Sequence, residues 1–159
     1  MKKKILITGG TGFLGINFLN FLRTKNYRLY SLSRKLPEQK KKISDVKYIV
    51  GDLSKKDSLK KLSKIKFNYV VNLAGNINHK EKIKTFNSHY KGVVNLVKIL
   101  NRKNLIKFVQ IGSSVEYGKK KSPQIEPKKI PTKIKINSTY GQSKLLSTIF
   151  LMKENRKNN

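Results

Sequence analysis

The chain has 159 residues, which suits a single domain with its own hydrophobic core. It contains no cysteine, and this excludes disulfides, thiolate catalysis and cysteine-ligated metal sites. The sequence offers no candidate metal site, and the absence of cysteine suits a reducing, cytoplasmic compartment. No stretch approaches the roughly 18 apolar residues that cross a bilayer, so no membrane span is predicted.

The 37 Lys and Arg residues far outnumber the 8 acidic ones and give a net charge of +29. A field of that size attracts nucleic acid and anionic membranes without specificity. The lysines are spread through every segment, and aromatic residues are not interleaved with them as base stacking requires. We therefore interpret the charge as a solvated surface and expect no specific nucleic-acid partner.

Short apolar runs alternate with longer amphipathic stretches, which is typical of repeated βα units around a parallel sheet. Strands are predicted at residues 4–8, 28–32, 46–50, 69–73 and 107–111, and helices at 12–25, 54–63, 84–101 and 139–152. The first helix is expected to face the core with Leu14, Phe18, Phe21 and Leu22, and the last with Leu145, Leu146, Ile149 and Phe150. Residues 119–138, rich in lysine and proline, are predicted to form an exposed loop.

A glycine-rich turn joins the first predicted strand to the first helix. Gly9, Gly12 and Gly15 are spaced G-x-x-G-x-x-G, and Phe13 and Leu14 begin the helix. Glycine permits the positive φ of a tight turn and lets backbone N–H groups approach a diphosphate at the helix N-terminus. Because both the strand and the helix that this motif requires are present, we predict that these five residues bind a dinucleotide.

The turn resembles that of the extended short-chain dehydrogenase/reductase family, which includes nucleotide-sugar epimerases, dehydratases and reductases. Further segments match the family in its own order: Gly51-Asp52-Leu53, Asn72-Leu73-Ala74-Gly75, residues 111–118 with Ser113, and Tyr140-Gly141-Gln142-Ser143-Lys144. The resemblance implies that Asp52 and Leu53 lie at the adenine, and that Leu73, Ala74 and Gly75 line the cofactor.

The resemblance also implies a catalytic group made of Ser113, Tyr140 and Lys144. Tyr140 and Lys144 are four residues apart and share a helix face, where an ammonium favours the phenolate form of a tyrosine. Tyr140 is expected to act as acid and base, Ser113 to hold a carbonyl oxygen, and Lys144 to bind the nicotinamide ribose as well.

Two departures from the family pattern are informative. Ser114 and Val115 stand where sugar dehydratases carry an acid pair, so a 4,6-dehydratase is disfavoured. The family's supporting asparagine falls on His89, with Asn87 nearby, and either or neither fills that role. We interpret His89 as a local helix residue and His79 as a solvated loop residue.

The second predicted strand ends at Ser33-Arg34, where NAD-specific members place an acidic residue. A serine beside an arginine does not repel a 2′-phosphate, and a guanidinium pairs with phosphate in a bidentate manner. The cofactor prediction is NAD(P), with NADP(H) slightly favoured, although a surface arginine is the competing interpretation in so basic a chain.

The predicted fold class is α/β, a doubly wound Rossmann parallel sheet over residues 1–152, with residues 153–159 as a frayed tail. The resemblance implies a further, smaller C-terminal substrate lobe, which we expect to be missing from these residues, whether they are a fragment of a longer product or a shortened homologue. An edge left open there would favour a homodimer. The main functional hypothesis is an NAD(P)-dependent nucleotide-sugar epimerase or keto-sugar reductase. The alternatives are a truncated, non-catalytic dinucleotide-binding module and a basic nucleic-acid-binding protein.

Overall fold

The computed structural model describes residues 2–119, 123, 125 and 136–157. Most of the loop predicted at 119–138 therefore lies outside the described residues. Five parallel strands form one sheet in the order β3-β2-β1-β4-β5. The strands are β1 Lys3–Thr8, β2 Tyr27–Ser33, β3 Val46–Val50, β4 Tyr69–Asn72 and β5 Lys107–Gln110, each within one residue of its predicted bounds. This strand order confirms the doubly wound Rossmann fold.

The helices lie between the strands and on both faces of the sheet. They are α1 Phe13–Arg23, α2 Lys60–Ser63, α3 Lys82–Phe86, α4 Gly92–Ile99 and α5 Thr139–Arg156, and a 3₁₀ turn at Lys56–Leu59 precedes α2. A π-helical turn at Asn87–Lys91 joins α3 to α4, so the helix predicted at 84–101 is locally underwound in its middle. Such turns are rare and concentrate at functional sites.

Alternate residues of the strands fill two cores, one on each face of the sheet. Ile5 and Ile7 of β1 pack with Leu19 and Leu22 of α1, whereas Leu6 packs on the opposite face. The second core also contains residues from β2, α2, β4 and α4: Leu32, Leu62, Val70 and Leu96. Because successive side chains of a strand point to opposite faces, the continuous apolar runs in the sequence serve both layers.

The inward faces predicted for two helices are partly wrong. In α1 the buried residues are Gly15, Leu19 and Leu22, whereas Leu14 and Phe21 are about 60% exposed. In α5 the buried residues are Gly141, Ser143, Lys144 and Ser147, and Leu146 is 38% exposed. The small side chains of α5 let its backbone approach polar groups of the neighbouring segments, as the hydrogen bond from Ser147 Oγ to the His89 carbonyl shows (2.6 Å).

The last helix is also longer than predicted. It continues to Arg156, and Glu154 accepts hydrogen bonds from Arg102 (3.0 Å) and Lys157 (2.9 Å), so the predicted tail begins inside a helix held to the turn after α4. Among the described residues, none of the helices combines the length and apolarity needed to cross a membrane. Strand β5 is an edge strand, and apolar side chains in and beside it are exposed: Ile106, Val109 and Ile111.

Candidate active site

A cleft of about 560 Å³ opens at the carboxyl ends of the strands, where the strand order reverses between β1 and β4. Open α/β sheets bind ligands at this topological switch point. All the predicted dinucleotide contacts except those on α5 line this one cleft: Gly9, Gly12, Phe13, Leu14, Gly15, Ser33, Arg34, Asp52, Leu53, Leu73, Ala74 and Gly75. Residues that the sequence did not single out also line it, including Asn76, Ile77, Lys84 and Ser88.

The turn at the base of the cleft requires glycine, because it has no room for side chains. Gly9 has a φ of +69°, and its amide donates to the Leu32 carbonyl (2.9 Å). A Cβ on Gly15 would lie 2.3 Å from the Gly9 oxygen and 2.5 Å from the Gly10 Cα, so no other residue allows α1 to pack so closely on the turn. Gly12 is the N-cap of α1 and supplies no capping side chain. The turn therefore presents the unpaired amides of a helix N-terminus, which fit a diphosphate.

Polar side chains join the ends of three strands beside this turn. Thr8 donates to the Asn72 amide oxygen, and Asn72 donates to Gln110 Oε1 (2.6 Å). The Ala74 amide donates to Thr8 Oγ1 (3.3 Å), which ties the segment after β4 to β1. Thr8 and Asn72 are buried, so these bonds fix the relative positions of the strand ends around the cleft.

Asp52, the acidic residue after β3, begins a turn. Asp52 Oδ1 accepts hydrogen bonds from the Ser54 amide (2.9 Å) and hydroxyl (2.7 Å). Asn95 of α4 donates to the Leu53 carbonyl (2.9 Å). Asp52 and Leu53 are thus held at the cleft wall by their own loop and by α4.

Tyr140 and Lys144 lie in the first turns of α5, outside the lining of the cleft. Ser138 caps the helix by accepting from the Gly141 amide (3.1 Å). The Lys144 ammonium lies 5.8 Å from the centre of the Tyr140 ring and donates to the Ile111 carbonyl (2.7 Å). Burial lowers the pKa of Lys144 below its ordinary value, and the negative charge of Glu116 opposes that shift.

Glu116 is a functional candidate that the motif analysis missed. It is 5% exposed and accepts hydrogen bonds from the Ser113 amide (2.7 Å) and the Thr148 hydroxyl (2.6 Å). One carboxylate therefore ties the Ser113 segment to α5, the helix that carries Tyr140. The S-x-x-E spacing of a capping box at residues 113–116 is the sequence signal that would have found it.

His89 lies in the π-helical turn, between the cleft and Tyr140. It is 6% exposed, and its Nε2 lies 3.1 Å from the Asn76 carbonyl oxygen. A Cβ on Gly75 would lie 2.0 Å from the imidazole, so glycine is required for the ring to pack there. Its ring also meets the Tyr140 ring edge-on, with the centroids 5.1 Å apart. His89 is therefore more than a local helix residue, because it joins the wall of the cleft to the Tyr140 ring.

His79 is exposed, as predicted, yet its ring stacks on Tyr140 with the centroids 4.0 Å apart and the planes 14° apart. Asn87, the other candidate for the supporting position, lines the cleft.

Removing the Glu116 carboxylate should destabilise the fold. Glu116→Ala leaves the Ser113 amide and the Thr148 hydroxyl without their acceptor, which costs about 1–3 kcal/mol of unfolding free energy in urea denaturation. Glu116→Gln is the matched control, because its amide oxygen still accepts, and it should retain a larger part of the stability. Equal stability of wild type and Glu116→Ala would contradict this assignment.

His89 should make the stability depend on pH below its ordinary pKa of 6.5. Burial lowers the pKa of His89, with Lys144 and His79 adding to the shift and the Asn76 carbonyl opposing it. As the pH falls below 6.5, the unfolded chain takes up the proton before the folded chain does. The free energy of unfolding should therefore fall, by at most about 1.4 kcal/mol per pH unit.

Urea denaturation between pH 7.5 and 5 measures this slope, with His89→Gln as the variant that lacks the titrating group. A slope that is just as steep in His89→Gln would show that another group is responsible.

Comparison with known proteins agrees with the motifs and the fold. Residues 5–159 match the sequence model of the NAD dependent epimerase/dehydratase family. The bifunctional UDP-glucose 4-epimerase and UDP-xylose 4-epimerase 1 of Pisum sativum is 29% identical over 164 residues, which cover 90% of this chain and 45% of that protein.

Solved structures show the same fold. The UDP-Glc/GlcNAc 4-epimerase of Campylobacter jejuni superposes with a TM-score of 0.83 at 23% identity, over 98% of this chain and 50% of that one. The Bordetella bronchiseptica enzyme WbmG, solved in complex with NAD and UDP, superposes with a TM-score of 0.76 at 20% identity. The match covers 96% of this chain and 50% of that one. The chain thus spans about half the length of these relatives. With its glycine turn, its strand order and a family match over nearly its whole length, the chain belongs to the NAD-dependent epimerase/dehydratase family, of the extended short-chain dehydrogenase/reductase type.

Proposed function

We propose that this chain carries the cofactor-binding cleft and the acid/base residue of an NAD(P)-dependent enzyme. That enzyme epimerises, or reduces, a nucleotide-activated sugar. The observation that carries the proposal is the position of the cleft. Its wall at Gly75 and Asn76 contacts His89, and His89 in turn meets the ring of Tyr140. A ligand that fills the cleft from the glycine turn to Gly75 therefore ends close to the phenol.

The residues of the cleft fit a dinucleotide. The backbone amides of the turn at Gly9 to Gly15 would hold the diphosphate, and Asp52 and Leu53 would lie at the adenine. Leu73, Ala74 and Gly75 would line the nicotinamide end. When bound, the nicotinamide supplies a hydride acceptor or donor.

Each residue of the catalytic group has a separate task. Tyr140 Oη would take the proton of a sugar hydroxyl as the alcohol is oxidised and return it to the carbonyl oxygen on reduction. Lys144 donates to the Ile111 carbonyl, and its ammonium has further hydrogens with which it would bind a ribose hydroxyl. Ser113, held through its amide by Glu116, would hold the carbonyl oxygen beside Tyr140.

The choice among sugar reactions follows from the relatives and from the active-site segment. The Pisum sativum relative is a UDP-sugar 4-epimerase, which favours epimerisation of a UDP-sugar. A dehydration that needs two adjacent acids is not supported, because Ser114 and Val115 follow Ser113. The nearby Glu116 carboxylate is already engaged by the Ser113 amide and the Thr148 hydroxyl.

The first test measures binding and turnover separately. Calorimetric titration of the chain with NAD⁺ and NADPH should show binding, and Gly15→Ala should weaken it at least about tenfold, because the added Cβ must displace the turn that holds the diphosphate. Urea denaturation of Gly15→Ala checks that the variant is still folded. A folded wild-type chain that binds no nicotinamide dinucleotide would refute the proposal.

Turnover is then measured with UDP-glucose and UDP-galactose. Product without net change of NAD(P)H indicates an epimerase, and stoichiometric oxidation of NAD(P)H indicates a reductase. Tyr140→Phe should lower either activity by roughly 10²-fold or more, as expected for removal of a general acid/base. If the chain binds the dinucleotide but turns over no sugar, and Tyr140→Phe leaves the binding unchanged, a non-catalytic dinucleotide-binding module would instead be favoured.

We also propose a preference for NADP(H), from the rim of the cleft after β2. Arg34 is exposed there beside Ser33, whose hydroxyl donates to the Lys35 carbonyl (2.7 Å). The ion pairs of the described residues do not include Arg34, so its guanidinium is available to a 2′-phosphate.

NADPH should therefore bind more tightly than NADH, and Arg34→Ala should reduce that preference by roughly tenfold, which corresponds to a charge-assisted hydrogen bond of about 1.5 kcal/mol. Lys35→Ala is the matched control, because it removes one neighbouring positive charge outside the cleft lining. Equal affinities of the unmutated chain for NADPH and NADH would defeat this preference.

A further inference from the structure

Residues 76–81, the last part of the connection between β4 and α3, form a loop that Asn76 joins to its neighbours by hydrogen bonds. The Asn76 amide donates to Ser88 Oγ (3.0 Å), and its carbonyl oxygen lies 3.1 Å from His89 Nε2. Its side-chain amide donates to the Asn78 carbonyl (2.8 Å) across the loop. Asn76 thus fixes both the start of the loop and its path toward His79.

This loop contacts two different parts of the site. Asn76 and Ile77 line the dinucleotide cleft, and Ile77 is 95% exposed there. Two residues later, His79 lies flat against the Tyr140 ring, with the centroids 4.0 Å apart. The chain has only two histidines, and both contact this one phenol, His79 on its face and His89 at its edge.

Among the described residues, the Tyr140 ring stacks on His79, meets His89 at its edge and has the Lys144 ammonium 5.8 Å from its centre. Tyr140 is the second residue of α5 and is only partly buried, so burial alone does not fix the plane of its ring. An acid/base group works only when its reacting atom is held in position, and a misplacement of about 1 Å costs on the order of 10²-fold in rate. A flat ring stacked on the phenol restricts its plane, as offset aromatic pairs do in general.

We propose that His79 is a positioning residue for Tyr140. Its imidazole holds the plane of the phenol, and residues 76–81 connect that contact to the dinucleotide cleft at Asn76 and Ile77. This role rests on the proposed function in one respect, since it assumes that Tyr140 is the acid/base of the reaction. Flatness, rather than charge or hydrogen bonding, is the property that His79 contributes.

The stack itself is tested by nuclear magnetic resonance on the full chain without ligand. With two histidines, the imidazole C–H signals are assigned by their loss in His79→Phe. The His79 signals should be shifted upfield by the phenol ring current, should return toward free-imidazole positions in Tyr140→Leu, and should stay shifted in Tyr140→Phe. His79 signals that are the same in the wild type and in Tyr140→Leu would overturn the proposal.

The positioning role is tested by kinetics with the substrate that shows turnover. His79→Ala should lower kcat by roughly tenfold to a hundredfold, with a smaller change in KM, because positioning acts on the reacting atoms. His79→Phe keeps a flat ring and should restore most of kcat. Lys80→Ala, an exposed neighbour on the same loop, should behave like the wild type.

A kcat that is equal in His79→Ala and Lys80→Ala would overturn the proposal, as would a failure of His79→Phe to recover the rate. If the wild-type chain turns over no sugar, the proposed function fails, and the resonance measurement alone then decides whether His79 holds the phenol.

Discussion

The site depends first on the contact between the glycine turn and the helix that follows it. Gly15 lies so close to the Gly9 oxygen that a single added carbon would overlap it. This contact places the N-terminus of α1, with its unpaired amides, at the end of β1 and beside the point where the strand order reverses. The other walls of the cleft are loops at the ends of neighbouring strands, so their positions follow from the same sheet.

The part of the site on α5, with Tyr140 and Lys144, is held by hydrogen bonds of buried polar groups. Lys144 bonds to the Ile111 carbonyl, Ser147 to the His89 carbonyl, and Thr148 to the Glu116 carboxylate. Buried polar groups are costly unless they are paired, and such bonds are directional. They therefore specify the position of α5 relative to β5 and to the π-helical turn more narrowly than apolar contacts would.

These two parts of the site meet at the segment after β4. Gly75 lines the cleft and accommodates the His89 ring, Asn76 bonds to that ring, and His79 stacks on Tyr140. The π-helical turn places His89 at this junction, and the underwinding of the helix at that point accords with the tendency of such turns to occur at functional sites. A change in this segment would therefore alter both the wall of the cleft and the contacts of the Tyr140 phenol.

The sequence by itself determined the fold and most of the cleft, because strand periodicity, the glycine spacing and the order of the motifs are local signals that one chain displays. It did not determine which face of α5 is buried: apolar spacing favoured Leu145 and Leu146, whereas the backbone carbonyls and the carboxylate around the helix select Ser143, Lys144 and Ser147. The contacts of His79 and His89 with the Tyr140 ring, and the bond of Glu116 to Thr148, were likewise decided only by the tertiary structure. They join residues up to 61 positions apart, as from His79 to Tyr140, and no local pattern of a single sequence encodes such contacts.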